Sequence, residues 1–175
     1  FHYSDSWADP AKQNKPAAWK NHSFPELLND VYNHTFDVIS ALKNAGVTPE
    51  WVQIGNEIPG GMLWPDGSTD NWIQLGQLLN KGYDAVKAVD NNIKVIVHVD
   101  EGNNNAKFRT FFDNATAQKV KYDVIGLSYY PYWIKKDYSE TIADLQFNLN
   151  DMAKRYDKEV MIVEVGGEDD KVQNT

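Results

Sequence analysis

Apolar runs of strand length alternate with stretches of helical periodicity along this chain, and that alternation restricts the fold more than any other feature. The runs end near residues 4, 57, 98, 129 and 164. Between them the pattern predicts a helix over about 24–44, with Pro25 suited to its first turn and Leu27, Val31, Ile39 and Leu42 on its apolar face. A second helix spans about 71–89, a third is centred on Phe108, Phe111 and Phe112, and a fourth over about 139–156 would be capped by Ser139. Alternating strands and helices imply a parallel sheet covered by helices. A doubly wound open sheet is the competing architecture, but no Gly-rich phosphate loop follows any strand. A closed barrel of eight βα units takes roughly 250 residues. With 175 residues, five strands and four helices, the chain reads as α/β, the middle of a (β/α)8 TIM barrel, in one partial domain over residues 1–175.

Two of the runs end in a carboxylate. In Trp51-Val52-Gln53-Ile54-Gly55-Asn56-Glu57 the large apolar side chains alternate with small or polar ones, which gives Glu57 the parity of Gln53 and Gly55. In Glu159-Val160-Met161-Ile162-Val163-Glu164 the closing carboxylate has the parity of Ile162, and the inner face would carry Ile96 and Ile162. The C-terminal ends of barrel strands are where such folds do chemistry. One Glu alone is as readily a cap for the next helix. Two, delivered at the same end of one sheet, are what a retaining glycosidase needs: one carboxyl protonates the leaving oxygen while the other attacks the sugar carbon from roughly 5–5.5 Å away.

The other strand ends add polar and aromatic groups. His98 and Asp100 share a parity, as do Gly126, Ser128 and Tyr130, so each set suits the inner face. Trp7, Trp64 and Trp133 fall in loops, where an aromatic ring can stack on the C–H face of a pyranose. The bland alternative is that such rings, and His98, only pack. A formal net charge of −8 argues against a nucleic-acid footprint and an anionic membrane surface. Without cysteine there is no disulfide and no thiolate metal site. No stretch is long and apolar enough to span a bilayer, no signal peptide is present, and the abrupt start at Phe1 points to upstream sequence that has been removed.

Taken together, Phe1-His2-Tyr3-Ser4-Asp5-Ser6-Trp7-Ala8-Asp9-Pro10, Gln53-Ile54-Gly55-Asn56-Glu57, Gly61-Met62-Leu63-Trp64-Pro65, Asp123-Val124-Ile125-Gly126, Ser128-Tyr129-Tyr130-Pro131 and Val163-Glu164 make the chain resemble glycoside hydrolase family 53, the endo-β-1,4-galactanases. The resemblance implies that the chain holds about strands three to seven of the barrel, with Phe1 on the third. It implies Glu57 as acid/base and Glu164 as nucleophile, acting by double displacement on internal bonds of galactan or arabinogalactan side chains of pectin. Asn56 would hold the sugar 2-hydroxyl and Tyr130 would orient Glu164. Trp7, Trp64 and Trp133 would stack on sugars, and His2, Asp5, His98 and Asp100 would contact hydroxyls.

Two motifs depart from the family pattern: Pro59-Gly60 replaces an Asn pair, and Val165-Gly166-Gly167 replaces Thr-Ala-Tyr-Pro. These changes bear on subsite shape and on a loop calcium found in some relatives. Glu168, Asp169 and Asp170 offer oxygen ligands, but a solvated acidic loop is the simpler reading, and no cofactor or metal is expected. The resemblance places the protein in a secreted, periplasmic or cell-surface setting. A related barrel glycosidase on another β-linked polymer such as mannan, and a non-catalytic carbohydrate-binding fragment, are the alternatives. Unpaired sheet edges would let the chain associate.

Overall fold

The computed structural model describes residues 1–167. Four parallel strands, β1 (Trp51–Gln53), β2 (Lys94–Val99), β3 (Val124–Tyr129) and β4 (Glu159–Val165), lie in sequence order in one sheet. Helices α1 (Phe24–Asn44), α2 (Trp72–Val89), α3 (Asn105–Ala117) and α4 (Tyr138–Tyr156) precede or join them. The result is half of a (β/α)8 barrel.

Local chemistry sets the helix boundaries. In α1 the Ser23 side chain and Glu26 form a capping box, with the Ser23 amide donating to Glu26 Oε2 at 2.7 Å, and Pro25 occupies the first turn. The helix buries Leu27, Val31, Thr35 and Ile39, one residue per turn. Gly46, at φ +80°, carries the chain out. The cap of α4 is Asp137, not Ser139: Asp137 Oδ1 accepts from the Ser139 amide at 2.8 Å, and Glu140 completes the box. The capping box needs its acid three residues on, and only Asp137 has Glu140 there.

Between the helices and the sheet sits the core. Val95, Val97 and Val99 of β2 and Ile125 and Leu127 of β3 pack against it, while Phe111 and Tyr122 flank Phe112 at ring-centroid distances of 5.2 and 5.4 Å. Each such aliphatic side chain contributes roughly 1.5–3 kcal/mol by leaving water.

Three expectations are corrected. Residues 1–4 form no strand: the one tie to β1 is the Phe1 amino group donating to the Gln53 carbonyl at 2.7 Å, while the Tyr3 ring turns away to bond Thr35 Oγ1 at 2.5 Å. The Trp51 run is a strand for three residues only, because Gly55 (φ +82°) and Glu57 (φ +44°) leave the extended region. Parity therefore does not place Glu57. In β4, Leu127 pairs with Ile162 but Ser128 pairs with Glu164, so Val163 is the extra residue of a bulge. Ile162 consequently shares the helix-covered face with Leu127, while Val163 turns inward, near Gly126. Ile96 does lie against Gly126 on the inner face, yet it is buried.

Candidate active site

A cavity of about 620 Å³ opens at the C-terminal ends of the strands. Glu57 enters it from the loop after β1, Asp100 from the end of β2, Tyr130 and Trp133 from the end of β3, Glu164 from β4, and Trp7 from the loop before α1. A groove of similar volume, lined by Pro59, Trp72 and Lys107 beside α2 and α3, contains no acidic side chain.

Glu57 owes its position to a turn. Its left-handed backbone costs a non-glycine residue on the order of 1–3 kcal/mol. Three contacts hold that turn: the Glu57 amide donates to His98 Nδ1 at 3.3 Å, and the buried Gln13 amide donates to the carbonyls of Asn56 at 2.8 Å and Glu57 at 3.1 Å. Gln13 thereby ties the Trp7–Ala11 loop to the carboxylate turn. On the side chain, Ser128 Oγ donates to Glu57 Oε1 at 2.6 Å. Burial pushes the Glu57 carboxyl above the usual range, and the charges of Glu164, Asp100 and Asp9 push the same way. The Ser128 bond opposes them without prevailing.

Glu164 is brought inward by the bulge at Val163, which re-aims its side chain beside Ser128. Tyr130 donates to Glu164 Oε2 at 3.0 Å. Burial and this carboxylate both raise the Tyr130 phenol, so it remains a donor. Gly166 lets the ring sit against the backbone: a Cβ there would lie 2.8 Å from Tyr130 Cε1.

His98 lies at the centre, fully buried, and burial drives its imidazole down to about 3. The ring is therefore neutral, and its 4.0 Å approach to Glu164 Oε1 is not an ion pair. Asp100 is buried enough to titrate high despite its bonds from Lys107 Nζ, both at 3.0 Å.

Of the expected site residues, Glu57, Glu164, Trp7, Asp100, Tyr130 and Trp133 line the cavity. Trp7 and Trp133 are 73% and 71% exposed, leaving ring area free at its rim. Five others do not line it. Asn56 is buried, its amide donating to Ala8 O at 2.9 Å and accepting from Gln53 at 3.2 Å. His98 lies beneath the floor. His2 packs on Trp7 and accepts from the Ala8 amide at 3.1 Å. Asp5 accepts from the Ala17 amide at 2.6 Å in an exposed turn. Trp64 donates its indole N–H to Gly60 O at 2.8 Å, fixing its own loop. Asp9, Glu101, Asn103 and Ser128 line the cavity without having been singled out, although inner-face parity did mark Ser128.

Among the described residues no group of three or more His, Asp or Glu is placed to hold a metal ion. Glu168, Asp169 and Asp170 lie outside the described residues. No described helix is long and apolar enough to cross a membrane.

The family model "Glycosyl hydrolase family 53" matches residues 1–174. A Niallia circulans protein described as an uncharacterized protein in the bgaB 5' region is 45% identical over 94% of this chain and 46% of its own length. An arabinogalactan endo-beta-1,4-galactanase of Thermothelomyces thermophilus is 37% identical over 94% of this chain and 50% of its own. The Ignisphaera aggregans GH53 catalytic domain superposes with a TM-score of 0.87 at 40% identity, over 97% of this chain and 47% of that one. The chain thus spans about half the length of the relatives it matches.

Proposed function

The chain belongs to glycosyl hydrolase family 53, and on that premise we propose that it carries the catalytic pair of a retaining endo-β-1,4-galactanase acting on galactan or arabinogalactan. The observation that carries the reading is the pair itself. Glu57 and Glu164 face one cavity, the first from the loop after β1 and the second from β4, in differently built surroundings.

Glu57 is the acid. Its raised carboxyl keeps a proton to give to the departing O4. Glu164, ionised and oriented by Tyr130, attacks the anomeric carbon and forms a galactosyl-enzyme. Glu57, now a carboxylate, takes a proton from the water that releases the sugar, which restores both groups. Trp7 and Trp133 offer ring faces to flanking sugars, and Asp100 offers an acceptor to a hydroxyl. The name of the Thermothelomyces relative supports galactan as the polymer. A polymer of that size does not cross a membrane, so we place the enzyme outside the cell, in the periplasm or on the surface.

Proton NMR of the first products from galactan tests the proposal. The β-anomer should appear first, within oligosaccharides cut from internal bonds. Early α-anomer would mean an inverting site. Faster release of reducing ends from mannan than from galactan would overturn the substrate.

A further inference from the structure

Three hydrogen bonds form a circuit that begins and ends in Glu57. Its backbone amide donates to His98 Nδ1 at 3.3 Å, His98 Nε2 lies 2.7 Å from Ser128 Oγ, and Ser128 Oγ lies 2.6 Å from Glu57 Oε1. The first bond decides the rest. An N–H donor at Nδ1 needs a lone pair there, so the neutral ring carries its proton on Nε2. That proton must point at Ser128 Oγ, the one partner Nε2 has among the described residues. A hydroxyl has one proton of its own, and with Nε2–H already donating to its oxygen, that proton goes to Glu57 Oε1. Oε1 is therefore held as an acceptor, and the acid's proton belongs on Oε2, to which no described residue donates.

We propose that Ser128 is a positioning residue for the acid step: oriented by His98, it fixes the Glu57 carboxyl and directs the transferable proton to Oε2. This rests on the reading of Glu57 as acid. The positive φ of Glu57 belongs to the same device, because it is this turn that aims the amide at His98. The backbone of the acid residue thus determines, through two side chains, which of its own oxygens carries the proton.

Leaving-group dependence in the intact enzyme tests this. A galactobioside with a dinitrophenyl leaving group needs no protonation to depart, whereas galactan does. Ser128→Ala should lower kcat/KM on galactan by about 10–100-fold and on the dinitrophenyl substrate by less than about 3-fold. Ser128→Thr, which keeps a hydroxyl, should recover most of the loss. An equal loss on both substrates, or a threonine variant as impaired as alanine, would overturn the proposal and leave Ser128 a packing residue. Glu57→Gln separates this outcome from failure of the premise. If that variant cleaves galactan at the wild-type rate, Glu57 is not the acid. If it loses galactan and keeps the dinitrophenyl substrate while Ser128→Ala is normal on both, only the positioning role falls.

Discussion

The carboxyls of Glu57 and Glu164 are both tied to one imidazole, His98, by way of different ring nitrogens. Ser128, which holds Glu57 at 2.6 Å, bonds His98 Nε2, while Glu164 Oε1 stands 4.0 Å from His98 Nδ1. The two carboxyls share a neutral buried ring instead of a charged one. A cation there would favour ionised Glu57 and weaken it as an acid. Neutrality leaves burial and like charge free to hold the Glu57 carboxyl above the usual range.

The distinct roles proposed for the pair give a first prediction. Glu57→Ala and Glu164→Ala should each lose galactan hydrolysis by about 10²-fold or more. With azide and the dinitrophenyl substrate, Glu164→Ala should yield the α-galactosyl azide, because azide occupies the nucleophile's face. Glu57→Ala should yield the β-azide from the galactosyl-enzyme. Exchanged anomers would exchange the two assignments.

A second prediction concerns pH. Glu57 must be protonated for the acid step, so the alkaline limb of kcat/KM on galactan reports its ionisation in the free enzyme. Burial, Glu164, Asp100 and Asp9 raise it, so the limb should lie above the ordinary glutamic acid value of about 4.3. The Ser128 bond favours the ionised form, so Ser128→Ala should move the limb further up. A limb that moves down, or stays fixed, would contradict this electrostatic account.

How much of this was legible in the sequence differs by element. Period and composition located α1 and α2 to within a residue, because their buried stripes repeat each turn. The helix-facing Ile125 and Leu127 and the inward Gly126 and Ser128 of β3 follow simple alternation, and the strand obeys it. The two catalytic candidates end up facing one cavity although both parity arguments behind them fail. At Glu57 a left-handed turn, and in β4 a bulge, break the two-residue period, and neither leaves a mark that alternation can read. Asn56, Trp64 and His98 show a different limit. Residue type marked them as polar or aromatic at loop and strand ends, but only the fold reveals that their donors and acceptors are taken up internally.

The buried imidazole gives a third prediction. His98 titrates at about 3 when folded, against about 6.5 when exposed. Between those values the unfolded chain binds a proton that the folded one does not, so this residue makes stability fall as pH drops from 6.5 toward 3. The slope is up to about 1.4 kcal/mol per pH unit. His98→Gln should flatten that part of the profile even if it lowers stability at pH 7. Urea unfolding of both proteins at pH 7 and pH 4.5 is the check, and parallel losses would show that His98 does not titrate as described.

The last prediction concerns the sheet edge at β4. Among the described residues this strand pairs only with β3, so its other side presents unpaired backbone N–H and C=O groups. Beside it, Val165 is 70% exposed, Ile162 on the helix-covered face is 40% exposed, and Phe147 on α4 is 58% exposed. Parallel strands are ordinarily buried on both faces, and an open apolar edge is a template for another strand. On the far side, β1 has only three residues, and its outer edge is met by a single bond from Phe1. The longer and more apolar edge is therefore β4. The isolated 175-residue chain should self-associate through it, and Val165→Lys together with Phe147→Lys should shift the population toward monomer by placing charge along that edge. Light scattering coupled to size-exclusion chromatography distinguishes the outcomes. A chain that elutes as a stable monomer of 19.9 kDa, at concentrations where the doubly substituted chain behaves identically, would show that the β4 edge is not adhesive.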